Sequence, residues 1–203
     1  MHIPSVTTDR LALVTFRQAL EAANTPSREY DITRWLYAPN FYSEYRYILG
    51  TRGKKPLICI GINPSTAQPG DLDNTLKSVE RIALGNGFDS FIMFNVYAQR
   101  ATDPDTMEKT CNLQLHRENL EAFRYVLSIS EKPAVWAAWG TNIEKRDYLP
   151  SCLRDMLAVG KEYGASWYCA GRTSKKGHPH HPLYLRKDEK IRPFDVDAYL
   201  SAF

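Results

Sequence analysis

No apolar run in the 203-residue chain approaches the roughly 20 residues that cross a bilayer, so no membrane-spanning helix and no membrane partner are expected. Cysteine is scarce. Cys59, Cys111, Cys152 and Cys169 lie far apart with no Cys-x-x-Cys pair, which argues against a thiolate zinc site or an iron–sulfur cluster. They read instead as small buried hydrophobes of a reducing compartment. Residues 1–10 lack a basic start followed by an apolar stretch; no secretory signal is read there, and a cytoplasmic location is the expectation. Repeats and low-complexity linkers are missing too, and nothing suggests an obligate protein partner. An apolar content of 43% with 24% charged residues leaves disorder without support and suits one globular domain over residues 1–203.

Net charge is only +3, yet it is unevenly placed. Arg172, Lys175, Lys176, Arg186, Lys187, Lys190 and Arg192 face only Asp188 and Glu189 within their stretch, which also holds three histidines. Arg46, Arg52, Lys54 and Lys55 form a second cluster with no acid inside it. Both clusters have two readings, a phosphate-binding patch or a solvated face.

Leu11–Ala23 carries apolar residues at helical spacing and predicts an N-terminal helix. The aromatic-rich stretch 30–49 follows, ending in a short strand over Tyr45–Leu49 and reading as core. Residues 1–50 thus precede a motif-bearing core at 56–186. From Pro56 a regular alternation begins: strands at Pro56–Ile62, Ser90–Val96, Pro133–Trp139 and Ser166–Ala170, with helices at Asp73–Leu84, Asn112–Ile129 and Tyr148–Val159. Such alternation predicts a three-layer αβα sandwich around a central, mainly four-stranded parallel sheet. Ligands on such sheets sit at the carboxyl ends of the strands.

Four segments fall at those ends. Gly61-Ile62-Asn63-Pro64-Ser65 is a rigid turn that either projects Asn63 over the sheet edge or has Asn63 cap its own backbone. Phe94-Asn95-Val96-Tyr97, with Arg100 behind, brings an amide suited to a nucleobase edge or to buried backbone groups. Trp139-Gly140 allows a tight exit. The loop Gly171–Tyr184 is basic and stiffened by Pro179 and Pro182, and it carries His178, His180 and His181. With no carboxylate or thiolate beside these histidines, no metal and no cofactor are expected.

Taken together, Gly61-Ile62-Asn63-Pro64, Ile92-Met93-Phe94-Asn95, Val135–Gly140 and His181-Pro182-Leu183 resemble, in order and spacing, the motifs of the uracil-DNA glycosylase superfamily across about residues 56–186. The chain is more similar still to the domain of unknown function numbered 1643. That likeness rests on Asn-Pro-Ser-Thr-Ala, Arg100-Ala101-Thr102-Asp103-Pro104 and His-Pro-Leu-Tyr. The glycosylase resemblance implies that fold and a set of roles. Asn63 positions the attacking water and His181 steadies the departing base, so these two are the catalytic candidates. Asn95 reads the base edge, with Gly61, Ile62, Pro64, Ser65, Tyr97, Gly140, His178 and Pro182 as further substrate contacts. Arg100, Arg172, Lys175, Lys176 and Arg186 are the nucleic-acid contacts it implies.

Two departures stand out. Ser65 occupies the position where strict uracil enzymes carry a tyrosine, so a larger base is expected to enter. The loop reads His-Pro-His-His-Pro rather than His-Pro-Ser-Pro, which leaves His178 as an alternative to His181. The expected activity is hydrolysis of the N-glycosidic bond of a damaged, mismatched or modified base, in DNA ahead of RNA. Three alternatives remain: an enzyme on a free modified nucleotide or nucleoside, as in phage base modification or defence; a silent nucleobase-binding module; and a metal hydrolase built on His178, His180 and His181.

Overall fold

The computed structural model of the chain describes residues 1–202. One seven-stranded mixed sheet runs through it: β1 (Trp35–Ala38), β2 (Ile48–Thr51), β3 (Pro56–Gly61), β4 (Ser90–Asn95), β5 (Ala134–Ala137), β6 (Ser166–Ala170) and β7 (Ile191–Pro193), in the order β1-β2-β4-β3-β5-β6-β7. Five helices accompany it: α1 (Phe16–Ala23), α2 (Asn74–Gly85), α3 (Leu113–Ser128), α4 (Leu149–Glu162) and α5 (Val196–Ser201).

The four expected parallel strands are there as the centre β4-β3-β5-β6. Antiparallel strands extend that centre at both edges, β1 and β2 on one side and β7 on the other. A mainly four-stranded parallel sheet therefore understates the molecule. The extra strands are only three or four residues long, too short to develop a periodic signal, and β7 is mostly exposed.

Every residue of β3 is buried, as a strand covered on both faces requires. Its side-chain alternation divides the core. Leu57 and Cys59 join Leu76, Val79 and Ile82 of α2 on one face. Ile58 and Ile60 join Phe123 and Val126 of α3, Leu153 of α4 and Phe16 of α1 on the other. That division gives the three layers.

Local chemistry moved two boundaries. α1 starts at Phe16 rather than Leu11, because Thr15 and Gln18 form a reciprocal capping box. The strand expected at Tyr45–Leu49 is shifted to β2, while Tyr45 and Tyr47 turn their rings into the core. Three of the four cysteines are buried; Cys111 is half-buried. It meets Cys152 although 41 positions separate them in sequence; their hydrogen bond lowers the Cys111 thiol pKa and raises that of Cys152.

The connections out of β3 and β5 diverge. The chain leaves β3 through α2 for β4 on one side, and leaves β5 through α4 for β6 on the other. A crevice therefore opens between the carboxyl ends of β3 and β5, where open α/β sheets bind ligands.

Candidate functional site

A cavity of about 400 Å³ fills that crevice, within the roughly 300–1,000 Å³ of ordinary small-molecule sites. Its wall includes the turn Gly61–Ser65 after β3, Trp139 and Asn142 after β5, the start of α2 (Asp73–Leu76), Met93 of β4, Ala101 and Thr102, and His181 and Leu183 of the basic loop. Arg46 completes it.

Asn63 is held by its donor end. Its Nδ2 donates to Pro64 O at 3.1 Å and to Ala101 O at 2.7 Å. This uses both amide hydrogens and leaves Oδ1 as a spare acceptor. The turn is closely packed at Gly61: a Cβ there would come within 2.6 Å of Met93 Cε and 3.3 Å of the Asn95 carboxamide.

His181 is held from the opposite sense. The Leu183 N–H donates to His181 Nδ1 at 3.3 Å, so the neutral ring carries its proton on Nε2. Nε2–H has no partner among the described residues and remains a spare donor. Burial, with the neighbouring His180 second, pushes the His181 pKa below its ordinary value against the opposing pull of Asp73. The ring is thus neutral near pH 7.

Arg46 is 1% exposed. Its guanidinium makes one hydrogen bond among the described residues, from Nη1 to Ala67 O at 3.2 Å, and its buried Nε has no partner. Burial, and then the charge of Arg100, lower its pKa to about 9.

Every one of these lining residues falls inside residues 46–183, the span matched by the profile of a family described as proteins of unknown function, DUF1643. The chain belongs to the DUF1643 family. No curated protein and no solved structure matches it.

In this DUF1643 protein the residues singled out from the sequence separate into two groups. Asn63, His181, Gly61, Ile62, Pro64 and Ser65 share the cavity wall. Asn95 does not: it is 1% exposed and lies behind Gly61. In the orientation that satisfies its carboxamide, Nδ2 donates to the backbone oxygens of Asn63 and Phe94 at 3.2 Å each. Its contact is with the Asn63 turn from behind, not with the cavity. Tyr97 is also withdrawn; its hydroxyl donates to Glu108 and accepts from Asn112 N at 2.8 Å. Gly140 adopts φ 62°, and a Cβ on it would stand 3.7 Å from His181 Cβ. Pro182 is buried and ties the loop to α2 through Ser78 Oγ, which donates to its carbonyl at 2.8 Å.

His178, the alternative to His181, is 1% exposed. Its Nδ1 lies 2.8 Å from Tyr199 Oη and its Nε2 3.3 Å from Glu144 Oε1. His180 donates from Nδ1 to His181 O at 2.7 Å. The three histidines therefore face different partners, and among the described residues no three His, Cys, Asp or Glu side chains gather as a metal-ligand set.

The expected nucleic-acid contacts thin out. Arg100 is fully buried: its Nη1 donates to Ser65 O, its Nη2 to Tyr37 Oη at 3.1 Å, and its guanidinium lies 4.3 Å over the Tyr42 ring. It braces the Asn63 turn from behind and is not a surface cation. Lys176 pairs with Glu144 at 2.8 Å and Arg186 with Asp188 at 3.2 Å. Arg172 and Lys175 remain exposed. The second basic cluster also divides: Arg46 enters the cavity, while Arg52 donates to Ile32 O at 2.8 Å and to Asn24 Oδ1 at 2.8 Å.

Sequence reasoning did not assign Asp73, Asn74, Thr75, Met93, Thr102 or Asn142 to the site. Asp73 had a readable signal, since an acid just before an apolar helical stripe is an N-cap; it accepts from Leu76 N at 2.9 Å and aims the start of α2 at the cavity.

Proposed function

We propose that the cavity is the base pocket of a glycosylase-like hydrolase that breaks an N-glycosidic bond. One observation carries this reading: Asn63 and His181, from chain segments more than a hundred residues apart, line one cavity with complementary valences left over. Asn63 offers an acceptor and His181 a donor. In the reaction, water oxygen bonds to C1′, the C1′–N bond breaks, its electron pair leaves with the base, and the proton shed by the water passes to solvent and finally to the base anion. Asn63 Oδ1 orients the water by accepting one of its hydrogens; an amide is too weak a base to remove it outright. Nε2–H of His181 donates to the base oxygen on which negative charge develops, an interaction stronger in the transition state than in the ground state. The motif resemblance to uracil-DNA glycosylases and the place of the cavity at the strand ends support the same reading.

The substrate is a base in nucleic acid or a free nucleotide. The second is favoured by the loss of most of the expected phosphate contacts: Arg100 is buried, Lys176 and Arg186 are ion-paired, and of the five only Arg172 and Lys175 remain as exposed cations without an ion pair among the described residues. The deciding experiment incubates the protein with oligonucleotides bearing a panel of altered bases, followed by alkali to reveal abasic sites. Free nucleosides and nucleotides are assayed in parallel for released base. Release by wild type but not by Asn63→Ala or His181→Ala is the expected result. Ligand binding without release, and unchanged in Asn63→Ala, marks a binding module and removes the hydrolase reading.

A further inference from the structure

Arg46 is not needed by the chemistry just described, yet it is the most costly side chain on the cavity wall. Buried charges are ordinarily paired. Two guanidinium groups, Arg46 and Arg100, are buried, and the charge of Arg100 disfavours that of Arg46. Neither has a carboxylate within 4.0 Å among the described residues. Arg100 compensates with neutral acceptors and an aromatic face. The Nε of each is unpartnered, but Arg46 has only Ala67 O for the rest of its guanidinium, which leaves its Nη2 without a protein acceptor among the described residues.

The start of α2 lines the same cavity. The Asp73 side chain occupies the Leu76 N–H and the Asp73 carbonyl the Lys77 N–H. The Asn74 and Thr75 N–H groups have no acceptor available within the helix. A 12-residue helix thus directs free donors and the positive end of its dipole toward the space that Arg46 faces. Asp73, the acid on this wall, is held as the helix cap and forms no ion pair with Arg46.

We propose that Arg46 and the open N–H groups of α2 hold an oxyanion carried by the ligand, so that the cavity takes an anionic nucleobase derivative rather than an uncharged base. The oxyanion is either the terminal phosphate of a free nucleotide or an acidic substituent on a modified base; both present the planar or tetrahedral oxygens that a guanidinium grips. The proposal rests on the nucleobase reading for the remainder of the ligand.

The test uses the full chain and isothermal titration at fixed ionic strength with four probes: inorganic phosphate, uridine, uridine 5′-monophosphate and 5-carboxyuridine. Wild type is expected to bind inorganic phosphate and to prefer one of the anionic nucleosides over uridine about tenfold or more. Arg46→Met is expected to remove that preference while leaving uridine binding unchanged, and Arg46→Lys to keep part of it. Asn74→Pro is the independent variant if Arg46→Met fails to fold. Proline is tolerated at the first helical position, and Asp73 already has the extended ψ of 173° that a following proline demands. The loss of that N–H is expected to weaken phosphate binding about fivefold.

Preference for the monophosphate identifies a free nucleotide, and preference for the carboxylate an acidic base. Equal binding of charged and uncharged probes by wild type, an undiminished preference in Arg46→Met, or no binding of any probe overturns the proposal. Phosphate binding that depends on Arg46, without any binding of uridine, upholds the oxyanion site and instead removes the base reading. Uridine binding without phosphate binding does the reverse.

Discussion

The cavity wall and the layer just behind it are built from the same residue types, and they differ in what is left unsatisfied. On the wall, Asn63 retains an acceptor, His181 a donor and Arg46 an Nη2 with no protein acceptor among the described residues. Behind it, Asn95 bonds two backbone carbonyls, Tyr97 sits between Glu108 and Asn112, and both Nη atoms of Arg100 are taken up by Ser65, Ala67 and Tyr37, with only its inaccessible Nε unpartnered. Both layers are polar, buried and close to the motif turns. Spare hydrogen-bonding capacity facing empty space is what separates a group that can act on a ligand from one that holds the fold.

The largest test of that contrast is kinetic. Once a substrate is in hand, His181→Ala is expected to lower single-turnover base release about 10²–10³-fold, the usual effect of removing one donor to developing charge. Its melting temperature should change little. Equal release by wild type and variant would place His181 with the structural layer.

A second test compares the arginines by urea unfolding. Arg100→Met strands Ser65 O and removes the donor to Tyr37 Oη, which keeps only its own bond to Phe41 O, and is expected to cost about 3 kcal/mol. Arg46→Met removes a buried charge that has one hydrogen bond and no ion pair among the described residues, and is expected to fall within about 1 kcal/mol of wild type or to be more stable. Equal losses from the two would erase the distinction between them.

A smaller effect is expected at Gly140. An alanine there must hold φ at 62°, which costs about 1–2 kcal/mol, while its Cβ makes only ordinary contact with His181 Cβ at 3.7 Å. Stability should fall and base release per folded molecule should persist; loss of release instead would mean that the backbone at 140 positions His181.

The smallest expected effect follows pH. The His181 pKa lies below its unfolded value of 6.5, so the unfolded chain takes up this proton first as pH falls. The contribution of His181 to stability is intact above pH 6.5 and is lost as pH falls through the folded value. Wild type should therefore lose stability relative to His181→Gln on acidification from pH 6.5. Parallel stability curves for the two proteins would contradict the buried, neutral assignment.

The central strands and helices were legible because both signals are periodic and local. Pro56–Gly61 is an apolar run between breakers, and the stripe Leu76, Val79, Ile82 marks α2. Strands β1 and β7 escaped because they are short and are stabilised by pairing with partners already in the sheet. The site was half legible. The Asn63 turn and the His181 loop are stiff, Pro-bounded segments whose position at strand ends follows from the alternation. Asn95 looked equally apt, and Arg100 looked like a surface cation, because residue type and spacing carry no record of which way a side chain faces or what it meets.

By itself the amino-acid order determined the α/β alternation, the parallel centre of the sheet and the strand ends where a ligand belongs, since these depend on propensity, periodicity and breakers acting over a few residues. The tertiary structure alone decided which polar groups remain unsatisfied. It brought Arg46 beside the start of α2 and placed His181 rather than His178 on the cavity wall. Those outcomes depend on the partners that close packing supplies from distant segments, and a hydrogen-bond inventory can be closed only when every neighbour is in place.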